Sequence, residues 1–436
     1  MLTRSPQNFW LTLEQWFTVG ALLFYAGALL KLVLTGGANE GDQASYNSAI
    51  EQLLALGIYA VTALLLLLRW KKVLVFLSRD RWILLLLLLT VLSYFWSDAP
   101  SLTLRRSIAI LGTSSFGIYL ASRYSIAQQV RLLCWAFGII AVLSLLLVVA
   151  LPQLGISGGP HDGAWRGVFA HKNGLGQKMA VSTAVFFLLS LDLRRKRWVA
   201  LGGLGLSLLL AVFSRSTAGL LSAIAPLVLV PALQALRWRV KLMVPAVMAI
   251  LAGGGMLYFV ITSTLGLLLT ALGEDLTLTG RLEFWPYVIE KSLERPWLGY
   301  GYEAFWRGLS GPSAYIAYAI GGATPPTHAH NGLLQLWLHL GVVGVMVFLA
   351  GFWMTVLRGI AWIRLGSDAA SFWPIIYLVL MIAFNFSESA ILEYNDLSWV
   401  LYISVALSVL RLPQPADAVA HSELIHAPHG QANASV

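Results

Sequence analysis

Two histidines on alternate residues stand in Thr327-His328-Ala329-His330-Asn331-Gly332, directly before an apolar run that starts at Leu333. Three chemistries fit the pattern. A metal pair is one, but no third or fourth ligand falls at zinc-like spacing. The loops on the same side also lack the closely spaced Asp pair that holds a divalent cation, so the expectation is no metal and no cofactor. Structural packing or capping at the helix start is the second. General-base catalysis is the third: the positive end of a helix lowers the pKa of an imidazole held there and keeps it neutral near pH 7. A neutral ring can then take a proton from a hydroxyl. Asn331 fits a supporting part, orienting His330 or capping its helix.

The second group is cationic. Arg215 sits in Ser214-Arg215-Ser216-Thr217, a tight link between two apolar runs that keeps its guanidinium near headgroup depth. Arg281 opens an amphipathic segment in Thr279-Gly280-Arg281. Planar guanidinium forks suit bidentate phosphate contacts, and several at one depth point to a lipid bearing a diphosphate. Arg166, His171 and Lys172 crowd the stretch Trp165 to Gly174, where a loop runs into a helix whose first amides add anion donors. Lys291, Arg295 and Arg307 read more simply, as snorkelling groups or partners of Glu283, Glu294 and Glu303.

These residues need elements to hold them, and composition says which kind. Of 436 residues 58% are hydrophobic and 11% charged, with the apolar residues in long runs, which excludes a soluble fold. The net charge of +9 reflects Lys and Arg in short links between apolar runs, as membrane topology requires, and not nucleic-acid binding. The single cysteine, Cys134, lies inside such a run and can form no internal disulfide. Met1 to Trp10 lack the pattern of a cleaved signal, so the first run is expected to be a retained span.

Apolar runs near 14-35, 50-68, 83-97, 107-122, 130-151, 174-191, 198-213, 218-236, 242-262, 332-357, 371-387 and 397-411 predict an all-α polytopic membrane protein of about twelve helices. Strict alternation puts Arg69 to Arg81, Arg194 to Arg197, Arg237 to Lys241, and Arg358 with Arg364 on one side, the cytoplasm. The domain reading is helices one to nine over 1-262, a large periplasmic loop region over 263-331, helices ten to twelve over 332-411, and a disordered cytoplasmic tail over 412-436. Within the long loop, Leu282, Trp285, Val288 and Ile289 recur at helical spacing, and Ser310 to Pro326 reads as loop.

Taken in order, these motifs resemble the O-antigen ligase and polysaccharide polymerase superfamily of the bacterial inner membrane. The resemblance rests on Trp96-Ser97 with Arg105-Arg106, the Arg166 to Gly176 segment, Ser214-Arg215-Ser216, and Thr279-Gly280-Arg281 followed by Pro296 to Gly301. His328-Ala329-His330-Asn331-Gly332 with Gly341-Val342-Val343-Gly344 completes it. It implies inverting, metal-independent glycosyl transfer from an undecaprenyl-diphosphate-linked glycan to lipid A core or another glycan, at a periplasmic site. By the same resemblance His330 is the essential histidine, and Arg215 and Arg281 are the essential arginines. Arg166, His171 and Lys172 look like the variant found in exopolysaccharide polymerases, and join the arginines as donor-diphosphate contacts. His328 and Asn331 support.

Two other classes compete. A transporter or flippase of lipid-linked sugars is expected to show repeat symmetry and polar groups at the midplane, whereas here the ionisable residues gather at one rim. A protein O-oligosaccharyltransferase shares the same superfamily signals, so the acceptor stays open.

Overall fold

The computed structural model describes residues 6–30, 32, 49–158, 162–192, 197–238, 241–245, 248–249, 253, 256, 281–322 and 325–411. Most of the expected span at 242-262, the stretch 263-280 and the tail 412-436 lie outside the described residues, as does the Arg281 side chain.

Among the described residues the regular structure is helical, and strand-like pairing is limited to two isolated bridges. The chain runs through α1 (Pro6–Tyr25), α2 (Ala49–Leu67), α3 (Trp70–Arg79), α4 (Arg81–Leu92), α5 (Pro100–Arg123), α6 (Ile126–Ala150) and the short α7 (Pro152–Gly155). It continues through α8 (Lys172–Asp192), α9 (Arg197–Phe213), α10 (Thr217–Gln234), α11 (Arg281–Glu294), α12 (Ala314–Ala319), α13 (Gly332–Leu365), α14 (Trp373–Asn385) and α15 (Leu397–Ser408). Long apolar runs become helices because lipid offers no partner for a backbone amide, and only a helix satisfies every one within its own segment. Among the described residues five helices, α2, α6, α8, α10 and α13, are long and apolar enough to cross a membrane, and α4, α9, α14 and α15 are shorter apolar helices. The chain is an all-α membrane protein.

Local chemistry shifts several expected boundaries. The first run does not continue to residue 35 as one helix: α1 ends at Tyr25, and Gly27 takes φ +72°. Pro100 at the first helical position extends α5 about two turns before the apolar run, so Arg105 and Arg106 stand on a helix. The stretch Ser310 to Pro326, expected as loop, contains the one-and-a-half-turn α12. The periodicity around Trp285 is α11, with Phe284 and Val288 buried.

Helices α8 and α15 form the centre of the bundle, with α15 buried along its whole length and packed on α5. A lysine, Lys178, stands on the buried face of α8 and pairs with Asp396 at 3.3 Å. Asp396 also caps α15 through the Ser398 amide. Burial alone would raise the Asp396 pKa, but Lys178 and the cap hydrogen bonds outweigh it and hold the carboxyl below its ordinary range. A depressed carboxyl pKa stabilises the fold above the unfolded-state value, and that stability is lost as pH falls through the folded-state value. Asp396→Asn is therefore expected to cost about 3 to 5 kcal/mol at neutral pH, because it strands a buried ammonium. In detergent thermal melts the gap between wild type and variant should close below about pH 4, where the unfolded carboxyl also protonates. A gap that does not change with pH would assign the loss to the cap alone.

The element that carries the histidines is interrupted. Gly341 lies inside α13 at φ 66° and ψ −170°, so the rim segment Gly332 to Leu340 and the long remainder are two helices joined by a break. The strap Pro296 to Gly301 fills that break. Tyr300 and Gly301 amides donate to the carbonyls of Leu338 and His339, and the Val342 and Val343 amides donate to Pro296 and Trp297. Carbonyls and amides orphaned by the break are thus satisfied by the strap, the condition for broken helices at membrane depth. Only glycine fits, since a Cβ on Gly341 would lie 2.1 Å from the Trp297 carbonyl carbon. Gly341→Ala should cost more than the roughly 1 to 3 kcal/mol of the backbone strain itself. A melting temperature equal to wild type would show that the strap does not brace the break.

Candidate active site

Each residue of the His328 to Gly332 stretch has its own task. The backbone of Ala329 is fully buried and gripped from two sides: Gln335 Oε1 accepts its N–H at 3.0 Å, and its carbonyl accepts the Trp285 indole N–H of α11 at 3.0 Å. Gln335 is fixed in turn by the Trp306 indole N–H at 2.8 Å and by His339 Nε2 at 3.0 Å. Asn331 is the N-cap of α13, accepting from the Leu333 and Leu334 amides. Gly332 lets α14 approach, since a Cβ there would collide with Asn385. Asn385 Oδ1 accepts the Ala390 N–H at 2.9 Å and so shapes the loop after α14. With its backbone clamped, the segment holds His330 at φ 49°, a left-handed conformation costly for a side-chain-bearing residue.

That loop supplies Glu388. Its Oε2 lies 3.0 Å from His328 Nε2 and 3.1 Å from His330 Nδ1, and the two imidazole centroids are 3.9 Å apart. Burial would raise the Glu388 pKa, but the hydrogen bonds and charges of both histidines overcome it and hold the carboxyl well below the usual range. An ionised carboxylate only accepts, so both ring nitrogens facing it carry protons. His330 in its neutral form then has its basic lone pair on Nε2. The corresponding lone pair of His328 is on Nδ1, which faces the Thr327 hydroxyl at 3.1 Å. Phe284 of α11 packs edge-on against the His330 ring at 6.3 Å between centroids. Arg281 begins that helix, one turn before Phe284.

The start of α8 joins this cluster to the other cations. Asn173 Nδ2 lies 3.5 Å from Glu388 Oε1, and the Asn173 amide donates to His171 Nδ1, so His171 caps the helix that Lys172 opens. Three residues on, Gly176 lies against Ser216 and Gly219, either of which would crowd a Cβ there. Arg215, in the link between α9 and α10, therefore flanks the same helix end. It takes φ 48°, is exposed, and donates to the Asp162 carbonyl at 3.2 Å. Arg166 is 3% exposed, and its guanidinium donates to the carbonyls of Leu154 at 2.9 Å and Gln153 at 3.3 Å, bracing the loop around α7. Among the cations read as surface groups, Lys291 pairs with Glu294 at 2.7 Å and Arg295 with Asp98 at 2.6 Å.

Sequence spacing missed Glu388, which stands 58 residues from His330. Its only signal was its place as one of three carboxylates, with Glu393 and Asp396, in the short link Ser387 to Asp396 between two apolar runs. With it, His328, His330 and Glu388 form a group of three potential metal ligands, where spacing had offered only two.

Fold and site together define a polytopic, all-α membrane protein with its titratable residues gathered where a clamped loop, a helix start and a tight arginine link meet. The model of the O-antigen ligase family matches residues 202–349. The chain is 27% identical over 312 residues to the exopolysaccharide production protein ExoQ of Rhizobium meliloti, covering 70% of each. It is also 40% identical over 70 residues, 16% of this chain and 17% of the other, to a Rickettsia conorii protein whose name marks it provisionally as a polysaccharide ligase. These matches support the O-antigen ligase and polysaccharide polymerase superfamily for this chain.

Proposed function

We propose that the chain is an inverting glycosyltransferase that moves or polymerises glycan from an undecaprenyl-diphosphate donor at the periplasmic rim of the inner membrane. The observation that carries this reading is the pairing of His330 Nδ1 with the ionised Glu388, on a backbone clamped so that the imidazole is held in one tautomer. In a single displacement, His330 Nε2 takes the proton of the acceptor hydroxyl as its oxygen attacks the anomeric carbon. The bond from that carbon to the diphosphate oxygen breaks, and the undecaprenyl diphosphate leaves from the opposite face, which inverts the centre. Arg215 and Arg281, with Lys172 and the amides that open α8, stabilise the charge that develops on the leaving diphosphate. His171 orders that helix start, and Arg166 braces the loop behind it. His328 and Asn331 position the base. Arginines neutralise the leaving group, so the reading needs no metal.

The test is transfer in detergent from purified lipid-linked donor to acceptor glycan, which a transporter would not perform without a second compartment. Arg215→Lys and Arg281→Lys keep the charge but lose the bidentate fork. Each should lose about 1.5 to 3 kcal/mol of transition-state stabilisation, or about one to two decades in rate. Wild-type rates in both would remove the arginines from the chemistry. The relative named for exopolysaccharide production favours a growing glycan as acceptor over lipid A core. In a deletion strain, accumulation of single lipid-linked repeat units would support that choice, and accumulation of finished lipid-linked polymer would replace it with ligation.

A further inference from the structure

The geometry points to a transition-metal site built from His328, His330 and Glu388 that, when filled, switches the proposed base off. This rests on the reading of His330 given above for its consequence, though not for the binding itself. One ligand atom from each of the three residues lies within 4.8 Å of the others. The contacts from Glu388 Oε2 to His328 Nε2 and His330 Nδ1 are 3.0 and 3.1 Å. Around a tetrahedral zinc ion with bonds near 2.0 to 2.2 Å, neighbouring ligand atoms stand about 3.3 to 3.6 Å apart, so each histidine-to-carboxylate separation is within a few tenths of an ångström of what the ion needs. Two imidazoles and one carboxylate favour zinc, cobalt or nickel over magnesium or calcium, which prefer all-oxygen sites. A fourth position would be filled by water or a substrate oxygen.

The surroundings match those of metal ligands. The second nitrogen of a ligating histidine is usually hydrogen-bonded, and His328 Nδ1 already faces Thr327 Oγ1 at 3.1 Å. The clamp on Ala329 fixes the backbone between the two rings, so little ordering is left for the ion to impose. All three side chains are partly open, at 31%, 27% and 24%, so an ion can enter from solvent.

Binding would change the tautomer. A metal on His330 Nδ1 takes that nitrogen's lone pair, and the ring proton of a neutral imidazole then resides on Nε2. The lone pair that accepts the acceptor's proton is thereby lost: bonds from the ion to His328 Nε2, His330 Nδ1 and Glu388 replace the two hydrogen bonds to the carboxylate, and each displaced ring proton moves to the other nitrogen of its ring. Zinc is then an inhibitor, and the metal-free protein is the active form.

The experiment uses the full chain in detergent, purified without a polyhistidine tag and stripped with a chelator. Addition of cobalt(II) should give the intense visible absorption of a four-coordinate ion at one equivalent, displaced by zinc. The bands should be lost in His328→Ala and in Glu388→Gln, and kept when the tail histidines His421, His426 and His429 are replaced by alanine. Chelated enzyme should transfer glycan at the untreated rate, and saturating zinc should lower that rate by about 100-fold or more, the scale of lost general-base assistance. Bands that are absent, or that survive in both site variants, would refute the site. Bound cobalt with a zinc-insensitive rate would refute the switch, and zinc that restores activity removed by the chelator would reverse its sign. Lack of transfer by the metal-free protein in every condition would instead break the functional reading, while the cobalt spectrum would still decide the site.

Discussion

His330→Ala is expected to lower glycan transfer by about 100- to 10,000-fold, the usual worth of general-base assistance, while the protein stays folded and still binds donor. His328→Ala should lose much less. The two rings meet the same carboxylate oxygen, yet they are not equivalent. His328 faces Glu388 with Nε2 and Thr327 with Nδ1, so its basic lone pair is directed at a neighbouring hydroxyl. His330 faces Glu388 with Nδ1, which places its lone pair on Nε2. Turnover of purified variants under saturating donor measures the difference. Near-normal turnover in His330→Ala would move the base to another group, and equal losses in both variants would make the pair, not one ring, the catalytic unit.

Glu388→Ala should be the next most damaging change, with a loss of roughly 100- to 1,000-fold in kcat, somewhat less than removal of the orienting carboxylate from a catalytic triad. The carboxylate holds the His330 tautomer and offsets the positive charge that grows on the ring as it takes a proton. Both effects are strongest in the transition state, so kcat should fall with little change in KM for the donor. Glu388→Gln can still accept one N–H but lacks the charge, and should lie between wild type and Glu388→Ala. A rise in KM at unchanged kcat would instead make Glu388 part of donor binding.

Membrane class and helical architecture were legible in the sequence, because a backbone in lipid has few solutions and the apolar runs declare where it takes them. His330, Arg215 and Arg281 could be singled out for a related reason: ionisable groups at a membrane face are costly unless they have a task, so they stand out. Gly332 and Gly341 belonged to the same motifs, but their meaning did not show until Asn385 and the Pro296 to Gly301 strap were seen against them. Glu388, Gln335 and the Lys178 to Asp396 pair were likewise invisible, as was the burial of Arg166 under its own loop. All of these depend on contacts between residues distant in sequence or on the turn of a single side chain. Hydropathy and helical periodicity report whether a residue meets lipid, water or protein. Which carboxylate meets which imidazole is decided by the packing of helix ends, and that packing is set by tertiary contacts no local pattern encodes.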